Sequence, residues 1–162
     1  MIIFALYFLS EYSMSKMILV SACLAGVKCR YDGKSNKTQS IVELVEQGRA
    51  IPVCPELLGG LETPRDCCEI KSGNFREVIS DRGENITSAY KVGAQKTLEI
   101  AKIIDADMAI LQQRSPSCGC GKIYDGSFTR NLIDGDGFTS ALLKRNGVVV
   151  CNDENFNEFL NR

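Results

Sequence analysis

Two hydrophobic periods alternate along the chain. Met17-Ile18-Leu19-Val20-Ser21 is continuous rather than alternating, which suits a strand buried on both faces. A helix is expected from a cap at Thr38 or Ser40 through Gln47, with Ile41, Leu44 and Val45 on one face and Gly48 as the stop. Ala50-Ile51-Pro52-Val53 reads as a second strand, and Pro52, which has no N–H, points to an edge or an early exit. The longest helix is expected from about Thr87 to Ile104, where Tyr90, Ala94, Leu98, Ala101 and Ile104 recur near the helical period. Met108-Ala109-Ile110-Leu111 gives a third strand. Gly137 to Arg145 gives a helix closed by Asn146-Gly147, and Val148-Val149-Val150 a fourth strand. A last amphipathic helix carries Phe156, Phe159 and Leu160. Strand and helix in strict alternation define an α/β domain with a short, mostly parallel sheet flanked by helices. Residues 55–85 show no clear period and read as a long functional loop rather than a second domain.

Composition narrows the class. At 162 residues, 44% apolar and 24% charged, the chain is one folded domain with a core of its own. Nineteen basic against twenty acidic side chains leave a net charge of −1, which provides no field for nucleic acid or an anionic membrane. There is no histidine, which excludes a Ser-His-Asp triad, a Cys-His dyad, His-ligated zinc and a His base. Any metal must sit on thiolate or carboxylate. Met1 to Leu9 are apolar, but no basic segment precedes them, no cleavage site follows, and the run is too short to span a bilayer. Met14 or Met17 offers a second start. Residues 1–16 are therefore read as a misassigned start or ragged extension, with a weak hydrophobic anchor as the alternative, and 17–162 as the single domain. Without an export signal a cytoplasmic location is expected, where the eight cysteines serve as ligands or catalysts rather than disulfides.

The cysteines then fall at informative places. Cys23 lies two residues beyond the first strand, Cys54 directly after the second, and Cys118 after the third, in Arg114-Ser115-Pro116-Ser117-Cys118-Gly119. In a parallel sheet the carboxyl ends of the strands share one edge, so these three thiols are expected to converge there. No paired CxxC occurs, which argues against a zinc ribbon, and three thiolates on three loops suit a soft metal site with one position open. A cysteine at a strand end is also a small hydrophobe, and for Cys151 that reading prevails. Cys29, Cys67, Cys68 and Cys120 have polar or glycine-rich neighbours that allow a reactive or ligating thiol. Cys118-Gly119-Cys120 also allows a redox couple or a two-ligand unit.

The ordered set Ser21-Ala22-Cys23-Leu24, Arg30-Tyr31-Asp32-Gly33, Val53-Cys54-Pro55-Glu56, Gly59-Gly60-Leu61, Thr63-Pro64-Arg65, Arg114 to Gly119 and Tyr124-Asp125-Gly126 resembles the thiouracil desulfidase family of small bacterial proteins, over roughly residues 17–151. The resemblance implies a Rossmann-like α/β fold with a [4Fe-4S] cluster on Cys23, Cys54 and Cys118. It implies as substrate a small thiolated base, whose sulfur passes to the open iron and leaves as hydrogensulfide without net redox change. It also implies catalytic roles for Glu56 in substrate handling and for Ser115 beside the thiobase. Read without the resemblance, Glu56 is a helix-start carboxylate and Ser115 a turn residue. Arg65 and Arg114 brace carboxylates or bind substrate. Both Tyr-Asp-Gly segments read as tight turns, and Gly135-Asp136-Gly137 as a turn with a helix cap or an anion site. Where the family more usually shows proline and small apolar residues, this chain has Asp66-Cys67-Cys68-Glu69. Two other readings stay open: zinc closed by a fourth thiolate from Cys29, Cys67 or Cys120, and a thiol redox or sulfur-carrier protein using Cys118 and Cys120.

Overall fold

The computed structural model describes residues 16–71 and 76–160. The expectation for an N-terminal extension falls almost wholly outside them. A four-stranded sheet is formed by β1 (Ile18–Ser21), β2 (Ala50–Val53), β5 (Met108–Leu111) and β8 (Val149–Asn152), in the order β2-β1-β5-β8. Every pairing in it is parallel. Pro52 opposes Val20 on edge strand β2, where a missing N–H costs the sheet least.

Helices cover both faces, as the continuous apolar strands require. On one face α1 (Gln39–Glu46) and α5 (Phe156–Leu160) bring Ile41, Leu44 and Phe156 against Ile18, Val20 and Ile110. On the other, α3 (Thr87–Ile103) and α4 (Phe138–Arg145) bring Leu98, Ala101 and Leu143 against Leu19, Ala109, Leu111 and Val150. Successive strand residues thus feed opposite cores. Thr38 occupies the N-cap of α1, but its Oγ1 bonds the Asn36 carbonyl rather than a helix N–H.

Residues 55–85 are more ordered than their aperiodic sequence suggests. They contain the short helix α2 (Pro55–Leu58) and an antiparallel pair, β3 (Cys68–Lys71) and β4 (Glu77–Ser80). A second pair, β6 (Lys122–Tyr124) and β7 (Leu132–Asp134), packs on it through Ile123 and Ile70, with Tyr90 of α3 beneath. Unlike the equally short central strands, these are not continuous apolar runs, with Glu69 and Lys71 in β3 and Glu77 in β4, so contacts with the rest of the fold decide them.

Helix α2 sits where it does because of two glycines. A Cβ on Gly93, midway along α3, would lie 1.9 Å from the Pro55 carbonyl oxygen, and one on Gly59 would lie 2.2 Å from that of Ala89. The two backbones touch directly, which fixes the Cys54-Pro55-Glu56 segment against the rigid long helix. A mid-helix glycine costs about 1 kcal/mol relative to alanine, and this contact is what it permits.

Candidate active site

Strands β1 and β2 run to one side, and the chain then crosses back to lay β5 on the other side of β1. The switch point of the sheet therefore falls between β1 and β5, where ligands bind in open parallel sheets. A cavity of about 490 Å³ opens there, in the size range of small-molecule sites. Cys23, Cys54 and Cys118 all line it, as their positions after three strands led one to expect. Cys29, Cys67 and Cys68 line it too, so six of the eight cysteines share one cavity.

The other two do not. Cys120 aims its thiol at the Val150 carbonyl (3.5 Å) and packs against the α3–α4 core and, unlike Cys118, does not line the cavity. That removes Cys120 as a further ligand at this cavity. Cys151 is fully buried in strand β8, with its thiol 3.5 Å from the Ala109 carbonyl, the small hydrophobe expected of it.

The candidate thiols are packed among polar neighbours and one another. Cys23 donates to Gln112 Oε1 at 3.8 Å, and the same oxygen accepts from Asn36 Nδ2 at 2.6 Å. Hydrogen bonding to the Cys29 thiol, then burial, pushes Cys54 far above the usual thiol range. Its Sγ also lies 3.9 Å from the Cys29 carbonyl oxygen. Contact with the Cys23 thiol is the main cause that raises Cys29 to about 11. Burial lifts Cys118 to about 12 against a hydrogen bond from Ser21, with Glu56 and Cys54 adding negative charge nearby. Burial likewise lifts Cys68 to about 12. Protons must therefore leave Cys29, Cys54, Cys68 and Cys118 when a metal takes them.

Glu56 lies between two other residues of the site. Arg65 Nε donates to its Oε2 at 2.8 Å, Arg65 Nη2 also donates to Oε2, and Ser115 Oγ donates to Oε1 at 3.2 Å. The carboxylate and guanidinium side chains are only 13% and 10% exposed, so the pair is screened little by solvent. Ser115 is both turn residue and site residue: its Oγ accepts the N–H groups of Ser117 (3.0 Å) and Cys118 (3.1 Å). Those bonds shape the loop that presents Cys118. The loop is pinned from behind by Ser140 Oγ to the Cys118 carbonyl (2.6 Å) and by the buried Ser117–Thr139 hydroxyl pair (2.9 Å).

Arg65 braces Glu56, while Arg114 turns outward to Glu154. Both Tyr-Asp-Gly segments are turns in which the Asp side chain accepts a backbone N–H two residues on, from Lys34 and from Ser127. At Gly135-Asp136-Gly137, the first N–H groups of α4, on Phe138 and Thr139, go to the Pro116 and Ser117 carbonyls. That helix start serves the Cys118 loop, and these two donors are engaged there.

Glu69 escaped the sequence reading. Buried at 5% exposure, its Oε2 accepts the N–H groups of Gly126 (3.0 Å) and Phe128 (2.9 Å), tying the second hairpin's loop over the cavity. A lone acid in a Cys-Cys-Glu run carries no local sign of such a partner 57 residues away. Gln112, directly after β5 and beside Cys23, gave no signal either.

A parallel α/β sheet with a thiol-lined cavity at its switch point, flanked by a carboxylate–serine pair, is the setting of the candidate site. Over residues 18–155 the chain matches the 2-thiouracil desulfurase family, and it belongs to that family. It is 44% identical to the uncharacterized protein YbbK of Bacillus subtilis (strain 168), over 89% of this chain and all of that one. Among solved structures it resembles the [4Fe-4S]-dependent thiouracil desulfidase TudS, with a TM-score of 0.83 and 38% identity, covering 89% of this chain and 95% of that one. No described helix is long and apolar enough to cross a membrane.

Proposed function

We propose that the chain is a [4Fe-4S]-dependent desulfidase that replaces the sulfur of a small thiolated base by oxygen. The observation that carries this reading is the meeting of Cys23, Cys54 and Cys118 at one cavity, beside Glu56 and Ser115. The donor set fits an iron–sulfur cluster: three thiols on three adjacent strand ends, no imidazole, and further room in the cavity. Among the described residues no three Cys, Asp or Glu side chains are grouped to hold a single metal ion. A tetrahedral zinc would need its sulfurs within about 3.8 Å of one another, given a Zn–S bond of about 2.3 Å. A cluster whose irons take one thiolate each does not require that spacing.

When bound, the cluster supplies an iron without a protein thiolate, a Lewis acid with affinity for soft sulfur. The protein's own residues handle protons. The net change is C=S plus water to C=O plus hydrogen sulfide, with no electrons gained or lost. Glu56 is placed to take a proton from water and return it to the ring nitrogen or the departing sulfur. Ser115 orients that carboxylate beside the base. Cavity walls from Tyr90, Tyr124 and Phe128 exclude water and face a flat ring.

Anaerobic reconstitution followed by iron, acid-labile sulfide and 2-thiouracil turnover assays tests the reading. Near four irons per chain with uracil and sulfide formed in equal amounts is expected. Stoichiometric zinc, or a fully loaded cluster without turnover of any thiolated base, would overturn it.

A further inference from the structure

Three arginines besides Arg130 border the cavity, and they differ in direction. Arg30 and Arg114 pair with Asp32 and Glu154, neither of which lines it, whereas Arg65 turns inward. Its Nη1 donates to the Cys29 carbonyl (3.1 Å), the Glu62 carbonyl (3.0 Å) and Thr63 Oγ1 (3.2 Å). Its Nε and Nη2 both donate to Glu56 Oε2. An ionised carboxylate oxygen has two lone-pair directions, and two N–H groups fill both. On Oε1 the Ser115 hydroxyl takes one, which leaves one open. The Cys29 carbonyl held by Arg65 is also the group that faces Cys54 Sγ.

We propose that Arg65 is a positioning residue: it blocks Glu56 Oε2, so that the carboxylate accepts and returns its proton at Oε1 alone, and it fixes that oxygen relative to Cys54. The inference rests on Glu56 carrying the proton. The proton taken up at Oε1 leaves again to the product, so Glu56 ends each turnover ionised. Lysine keeps the charge but not the planar fork, and one ammonium cannot fill both directions on Oε2 while holding the Cys29 carbonyl.

The test is a double-mutant cycle on anaerobically reconstituted enzyme, with iron content, kcat and KM for 2-thiouracil measured for Arg65→Lys, Glu56→Gln and the pair. Arg65→Lys is expected to keep its iron, hold KM within about threefold and lose about 10- to 100-fold in kcat, the scale of a misplaced catalytic group. The double variant is expected to be no slower than Glu56→Gln alone, because Arg65 acts only through that carboxylate. A brace with no bearing on Glu56 gives losses that multiply, and that result overturns the inference while leaving the role of Glu56 intact. Full activity in Glu56→Gln overturns both. Full activity in Arg65→Lys overturns the inference alone. If Arg65→Lys loses iron, Arg65→Gln, which keeps a donor for the Cys29 carbonyl, replaces it in the cycle. Iron loss in both variants assigns Arg65 to the thiol loops instead and overturns the inference.

Discussion

Ser115 Oγ lies 3.2 Å from Glu56 Oε1 across 59 residues of chain. Because the same Oγ accepts two backbone N–H groups from its own turn, its proton is directed at the carboxylate. One hydroxyl therefore shapes the Cys118 loop and orients the Glu56 carboxylate in the first turn of α2. This bond couples the two halves of the site across the sheet's switch point.

The ligand assignment predicts a sharp division among the cysteines. Replacing Cys23, Cys54 or Cys118 by alanine is expected to abolish cluster retention after anaerobic reconstitution. Cys151→Ala and Cys120→Ser are expected to retain it, since both thiols face the core. Iron and sulfide analysis checks this, and a full complement of iron in any of the first three breaks the assignment.

Removing the proposed proton carrier separates chemistry from assembly. Glu56→Gln is expected to load its cluster normally and to lose about 10²-fold or more in kcat, the usual worth of a positioned proton carrier. Ser115→Ala is expected to lose less, about tenfold, because the carboxylate survives with one contact fewer. Single-turnover measurement of sulfide release is the appropriate assay, and a Glu56→Gln enzyme at wild-type rate would remove the role.

Gly93 offers a test of how α2 is seated. A methyl group there meets the Pro55 carbonyl at 1.9 Å, so Gly93→Ala must push the Cys54-Pro55-Glu56 segment away from α3. Overpacking of this kind is expected to lower Tm by roughly 5–15 °C. It is also expected to reduce iron retention. Val92→Ala, one residue earlier and exposed, is the control and should leave both unchanged.

Glu69 governs the loop over the cavity. Glu69→Ala leaves the Gly126 and Phe128 N–H groups without their shared acceptor, at a cost of about 2–4 kcal/mol in stability. Hydrogen exchange should show lost protection at these two amides while the amides of β1 and β5 stay protected. Unchanged exchange at Gly126 and Phe128 would show that the loop is held by other contacts.

How much of this was legible beforehand follows from the range of the forces involved. The four sheet strands and the helices α1, α3, α4 and α5 announce themselves through runs and periods a few residues long, because each buries one face or two. Pro52 pointed to an edge or an early exit, and the positions of Cys23, Cys54 and Cys118 after three strands put them on one edge of the sheet. Those inferences need only local pattern plus the topology of parallel sheets. The tertiary structure decided what depends on partners distant in sequence. It placed Cys29, Cys67 and Cys68 inside the cavity and turned Cys120 out of it. It made Glu69 a clamp, and it folded residues 55–85 into a helix and a hairpin. It set Arg65 and Ser115 on opposite oxygens of Glu56. A thiol or carboxylate reads the same in sequence whichever way it points, and its direction is fixed only when backbones such as those at Gly93 and Pro55 come into contact.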